Sequence, residues 1–246
     1  MADATPRAGA IVYGPVHSRR LGRSLGIDLL PPRSKVCELD CPYCDCGFTT
    51  PRAPATRWPS PDEVAHALRR ALEHTTPDWI TLSGRGEPTL HPRFPVVVDR
   101  LLAARAALAP GARVAILSNG LAAAVPSIRA ALRRLDLRIV KLDPGPPEHV
   151  NGRAIPGEAL ARSYRDLKPV TVQAMVVRGP GWDGSSEASV RAWLPLVALA
   201  DPEVVQLTTM TRAAADPRVE NVSRERITRM AEAIAEALPR TVVRIY

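Results

Sequence analysis

The chain has 246 residues, 46% hydrophobic and only 4% aromatic, so Leu, Val, Ile and Ala must fill its core, and the length suits one α/β barrel. Its net charge of +8 rests almost wholly on Arg, with Lys only at 35, 141 and 168; this favours an acidic partner, although a high-GC codon habit also explains it. No run of about 18 apolar residues is present, which excludes a transmembrane helix; the first ten residues show no apolar signal core, and the four cysteines crowd between positions 37 and 46, as in a metal site rather than a disulfide framework, so a soluble, cytoplasmic chain with no membrane partner is expected.

Strand and helix signals alternate. Residues 1–12 are expected to be loosely ordered and 13–246 to form one domain. Residues 26–30 make a short strand stopped by Pro31-Pro32, and the cysteine run follows. Ser60 is an N-cap, Pro61 fits the first turn and Glu63 completes a capping box, for a helix to about residue 74. The next elements are a strand at 79–82, a helix at 95–108, a buried strand at 114–117 and a helix at 122–135. A strand at 137–142 leads into a Pro/Gly-rich stretch, a helix at 157–167, a strand at 170–177 and a Gly-rich loop at 178–185. Ser186 caps a helix to about 199, a strand covers 204–209, Ser223 caps a helix to 238, and 242–246 closes as a strand. Six strand–helix units and a last strand argue for parallel pairing with right-handed crossovers, an open, partial (β/α)6 parallel barrel in a single domain. A full barrel needs eight units.

In such folds the chemistry sits at the C-terminal ends of the strands. Cys37, Cys41 and Cys44 follow the first strand with the spacing C-x3-C-x2-C. Gly84-Arg85-Gly86-Glu87-Pro88 follows the second, Ser118-Asn119-Gly120 ends the third, Lys141-Leu142-Asp143 ends the fourth, and Gln173 and Met175 lie on the fifth. Three thiolates in one tight loop hold three irons of a cubane cluster and leave the fourth open for a small molecule. Cys46 offers two alternatives. As a fourth ligand it would close that iron or complete a four-thiolate zinc site; otherwise it is a buried or hydrogen-bonding thiol.

The cysteine spacing, Tyr43 just before the third cysteine, the 83–92 segment, Leu117-Ser118-Asn119-Gly120 and Val140-Lys141-Leu142-Asp143 together resemble the radical S-adenosylmethionine (SAM) superfamily. The opening segment from Tyr13 to Gly26 is similar to that of the small single-domain Fe–S oxidoreductases related to the wyosine tRNA-modifying enzymes. The resemblance implies a partial barrel of the radical SAM type and a [4Fe-4S] cluster on Cys37, Cys41 and Cys44. It further implies SAM held through its amino and carboxylate groups on the fourth iron, and reductive cleavage to a 5′-deoxyadenosyl radical that takes hydrogen from a substrate. Cys46 matches a branch position that is not a cluster ligand. Tyr43, Gly84, Gly86, Glu87, Ser118, Asn119, Lys141, Asp143 and Gln173 are the candidate cofactor contacts, with Glu87 placed to receive the SAM ammonium. Arg85 departs from the small or amide residue usual there and is read as a mark of substrate preference.

Arg19, Arg20 and Arg23 line a substrate mouth or bind an anion, or else form a solvated basic hairpin. His17, His91 and His149 have no ligand spacing, and Met175 reads as core. The expected partners are a small-molecule, RNA or peptide substrate and an acidic electron donor such as flavodoxin or ferredoxin. Three rival readings stand beside the first: a glycyl-radical enzyme activase, a non-catalytic Fe–S electron carrier or sensor, and a zinc-stapled RNA-binding protein.

Overall fold

A computed structural model of the chain describes residues 10–49 and 57–246. The loosely ordered tail expected at 1–12 lies outside the described residues as far as position 9, and Val12 already opens a strand. Two compact units share the chain. The first takes in the described residues of Met1–Glu38, Thr50–Ser118 and Val125–Arg138; the second is Leu39–Thr49, Asn119–Ala124 and Ile139–Tyr246.

The first unit opens on a hairpin in which β1 (Val12–Ser18) runs antiparallel to β2 (Gly22–Ile27). Gly22 turns the chain at φ +68, in the left-handed region that favours glycine. The sequence placed this strand at 26–30. It starts four residues earlier because exposed Arg23 hides its polar beginning, and it stops at Ile27 because Asp28 bends the chain, its Oδ1 accepting the Leu30 N–H at 3.1 Å.

Helix α1 (Pro61–Leu72) has the expected capping box: Ser60 Oγ accepts from the Glu63 N–H at 3.2 Å and Glu63 Oε2 from the Ser60 N–H at 2.8 Å. Strand β3 (Trp79–Leu82) pairs parallel with β2, α2 (Phe94–Leu108) follows, and β4 (Arg113–Ser118) pairs parallel with β3. Helix α3 (Pro126–Leu132) is shorter than the expected 122–135, since Pro126 keeps Val125 extended and so starts the helix, and residues 121–124 form a separate 3-10 turn. Leu68, Ile80, Leu82, Val97, Leu101, Val114 and Ile116 are fully buried, each contributing roughly 1.5–3 kcal/mol by leaving water.

The long last segment of the second unit begins within β5 (Leu137–Lys141), passes the one-turn α4 (Pro147–Val150) and α5 (Gly157–Leu167), and enters β6 (Thr171–Met175). The expected strand at 170–177 ends early, because β7 (Val177–Gly179) turns away to pair antiparallel with β8 (Trp182–Asp183). Helix α6 (Glu187–Ala200) starts at the Ser186 cap, and β9 (Val204–Thr208) follows. Strand β10 (Glu220–Asn221) joins β7 from its other side, α7 (Arg224–Ala237) is capped by Ser223, and β11 (Val242–Ile245) closes the chain. Strands β5, β6, β9 and β11 pair in that order, all parallel, with Lys141, Gln173, Gln206 and Arg244 as successive partners.

Side chains alternate across this sheet. Val172, Ala174, Val205 and Leu207 on one face are fully buried, and Lys141, Gln173, Gln206, Thr208 and Arg244 lie on the other. Among the described residues no helix is long and apolar enough to cross a membrane.

Candidate active site

In the first unit the loop after β3 is built around two carboxylates. Glu87 is 2% exposed, and its Oε1 accepts from the Thr89 N–H at 2.9 Å, the Thr89 hydroxyl at 2.7 Å and the Ser118 hydroxyl at 2.9 Å. The end of β4 thus holds the loop that follows β3. The Glu87 N–H donates to Val36 O at 2.9 Å, which ties the loop to the residue before Cys37.

Both glycines of the loop are required by the protein's own backbone and side chains. A Cβ at Gly86 would lie 2.2 Å from Val36 O, and one at Gly84 would lie 2.4 Å from Asp28 Oδ1. Arg85, expected to mark substrate preference, is engaged by Asp28: its Nε donates to the fully buried Oδ2 at 2.7 Å, and its Nη2 reaches Pro31 O at 3.3 Å. This pair is invisible in the sequence, since Asp28 stands in a run that reads as strand. Nearby, the Tyr13 hydroxyl lies 3.0 Å from Ser83 Oγ, its ring filling the space a Cβ at Gly26 would take.

The second unit gathers Tyr43, Lys141 and Asp143. Asp143 is the hub: its Oδ1 accepts from the Met175 N–H at 2.8 Å, and its Oδ2 from the Tyr43 hydroxyl and, at 2.5 Å, from Lys141 Nζ. Lys141 also bonds Asn151 Oδ1 and stands 5.5 Å from the centroid of the Tyr43 ring. Cys41 belongs to this group. Burial pushes its thiol up, with the Lys141 cation and a Tyr43 hydrogen bond pulling the other way. Burial and then the Asp143 charge hold the Tyr43 hydroxyl well above the ordinary tyrosine range, so it stays a donor.

Asn151, absent from the sequence-based candidates, also fixes the cysteine loop, its carbonyl accepting from the Asp40 N–H at 2.9 Å. Its signal was the Asn-Gly pair: Gly152 sits at φ +69, and a Cβ there would lie 2.4 Å from Asp40 O.

Cys44 lies elsewhere in the loop, with its Sγ, the Cys46 Sγ and an Asp45 oxygen all within 4.8 Å of one another. The hydrogen bond with Cys44, followed by burial, pushes the Cys46 thiol up and keeps it protonated. None of the four cysteines is in a disulfide. Cys37 follows Val36 at the end of its segment of the first unit. The donor set, three loop thiols, is that of an iron–sulfur cluster, and Lys141 partly offsets the burial that disfavours the Cys41 thiolate.

Asn119 plays a turn role, its Oδ1 accepting from the Leu121 N–H at 3.0 Å and its carbonyl from the Tyr164 hydroxyl at 3.1 Å. Tyr164, fully buried on α5 and also unforeseen, bonds Lys141 O at 2.7 Å and so joins the ends of two strand segments. Gln173 donates Nε2 to Thr208 Oγ1 at 3.4 Å. Beside Lys141, Asp143 and Asn151 opens a cavity of about 410 Å³, otherwise lined largely by apolar residues including Leu39, Leu142, Ile155, Leu160, Trp193 and Leu196. His91 is structural: Nε2 donates to Pro59 O at 2.7 Å while Nδ1 accepts from the Arg93 N–H at 3.1 Å.

Comparison with known proteins agrees with this constellation. A family model described as the radical SAM superfamily matches residues 32–144, the span that holds the cysteine loop, the Glu87 loop and Asp143. A UPF0026 protein of Helicobacter pylori is 36% identical over 135 residues, spanning 54% of this chain and 42% of that protein. A UPF0026 protein of Synechocystis is 31% identical over 214 residues, 82% of this chain and 76% of its own length.

Among solved structures, Streptococcus suis SuiB bound to S-adenosylmethionine is similar over 90% of this chain and 49% of that one, with 12% identity and a TM-score of 0.62. Archaeal TYW1 is similar over 87% of this chain and 72% of its own, with 13% identity and a TM-score of 0.56. These likenesses show the fold, the mostly parallel α/β architecture of radical SAM enzymes. The chain belongs to the radical SAM superfamily, within the UPF0026 proteins. It spans less than half the length of the Helicobacter relative and of SuiB.

Proposed function

We propose that the chain is a radical SAM enzyme whose core occupies residues 13–246. In this reading Cys37, Cys41 and Cys44 hold a [4Fe-4S] cluster, on which SAM is reductively cleaved to a 5′-deoxyadenosyl radical that takes a hydrogen atom from substrate. The observation that carries the reading is that the C-x3-C-x2-C loop is anchored within each unit: in the first, Val36 before Cys37 accepts from the Glu87 N–H, and in the second, Asp40 bonds Asn151 and Tyr43 bonds Asp143, the partner of Lys141. The cluster, when bound, supplies the electron and an iron corner free of thiolate.

The protein's own residues position and shield. Glu87, fixed by Thr89 and Ser118, offers buried negative charge for the SAM ammonium. Lys141, beside Cys41, offsets the negative charge of the thiolates. Tyr43, locked to Asp143, closes one side of the loop. Gly84, Gly86, Ser118, Asn119, Asp143 and Gln173 complete the proposed contacts, several of them chiefly by holding others in place.

The electron donor is an acidic flavodoxin or ferredoxin, attracted by the net charge of +8. The substrate is a small molecule or a group on a peptide or RNA. SuiB was solved with a precursor peptide and anSMEcpe with a peptide, which keeps the peptide in view.

The pairing of the Cys44 and Cys46 thiols favours one second reading, a fully ligated cluster that only carries electrons. Anaerobic reconstitution separates the two. The enzyme should bind about four irons per chain, lose them in Cys37→Ala, and keep them in Cys46→Ala. Cluster loss in Cys46→Ala as well as in Cys37→Ala would establish the carrier instead.

A further inference from the structure

The face of the second unit's sheet that carries Lys141 is polar well beyond the cysteine loop. Lys141, Gln173, Gln206 and Arg244 stand in register across β5, β6, β9 and β11. Strands of a parallel sheet covered on both faces ordinarily read as continuous apolar runs, and two adjacent glutamines interrupt that pattern. Gln206 is 4% exposed, and its Oε1 is buried with no hydrogen-bond partner among the described residues. Turning the amide over would place nitrogen in the same unpaired position. The neighbours do not supply the bond: Gln173 Nε2 donates to Thr208 Oγ1 at 3.4 Å, and that hydroxyl donates to Ala174 O at 3.2 Å. Buried polar groups in folded proteins nearly always have partners, and an exception calls for a specific cause.

We propose that Gln206 reads the substrate, and that the group it reads is a neutral amide edge, an N–H beside a C=O in one plane, as in a carboxamide or a ring lactam. The inference rests on the radical SAM reading and deepens it. A glutamine side chain presents an acceptor and a donor in one plane, and a second amide edge meets both. A charged group would be buried here without a counter-charge, since Lys141 is engaged by Asp143 and Asn151 and Arg244 is exposed at the end of the row. Gln173, the next residue in register, bounds the same subsite.

The test is a ligand-observed NMR titration of the reconstituted protein and its Gln206→Leu variant. The probes are N-acetylglycinamide for an acyclic amide and uridine for a lactam, with ribose and butyrate as amide-free controls. At least one amide probe should bind the wild-type protein and weaken tenfold or more in Gln206→Leu, with the controls not binding; the probe that binds identifies the source. Equal binding to both proteins, or no binding of either amide, overturns the proposal.

Gln206→Leu should also melt about 1–4 °C higher, because it removes an unpaired buried polar group. A lower melting point would mean that Gln206 is bonded within the fold, and would equally overturn it. Cleavage of SAM by the wild-type protein is measured separately. Cleavage without amide binding sinks the subsite alone, whereas no cleavage sinks the reading on which it rests.

Discussion

Arg85 and Gly86 show how much of the site is built from contacts within the protein. The Arg85–Asp28 pair is buried on the carboxylate side, and removing one member of such a pair strands the other's charge. Arg85→Met should therefore cost about 3–5 kcal/mol in urea unfolding, and adding Asp28→Asn should recover most of that loss. At Gly86 the obstacle is backbone, since a Cβ would fall 2.2 Å from Val36 O. Gly86→Ala should cost roughly 1–3 kcal/mol and lower the iron retained on reconstitution, because the displaced backbone is that of the residue before Cys37. A variant that melts and loads like the parent would show that the loop shifts freely. The sequence marked Gly86 as a candidate cofactor contact and could not show the Val36 carbonyl it packs against. A contact 50 residues back along the chain leaves no local pattern, and for the same reason the Asp28 partner of Arg85 was unreadable.

At the scale of elements, His91 joins the 3-10 turn after Glu87 to the segment before α1. Its Nε2 carries the proton given to Pro59 O, and its Nδ1 accepts from Arg93; protonation of Nδ1 would break the second bond. Burial lowers its pKa below the ordinary 6.5. A group so depressed stabilises the fold fully above its unfolded pKa, and the contribution is lost as pH falls below about 6.5. The melting temperature of the wild-type protein should fall more steeply between pH 7 and pH 5 than that of His91→Gln, and parallel profiles would contradict the assignment. Most elements were legible. The capping box at Ser60, the caps at Ser186 and Ser223 and the short apolar strands each carry a local signal. The hairpin strand β1, the break after Met175 and the late start of α3 were missed, because pairing partners and one proline overrode runs that look continuous.

For the whole molecule, the cysteine spacing and the order of motifs at strand ends were enough to reach the superfamily. They were not enough to find Asn151, Tyr164 or Gln206, whose roles depend on which strand lies beside which. The central claim is that a three-thiolate cluster on this chain breaks a carbon–sulfur bond of SAM. Its most direct test is anaerobic incubation of the reconstituted, reduced protein with SAM, followed by chromatography of the products. The account requires 5′-deoxyadenosine and methionine in equal amounts, and none from Cys41→Ala. A fully loaded, reduced protein that leaves SAM intact would contradict it.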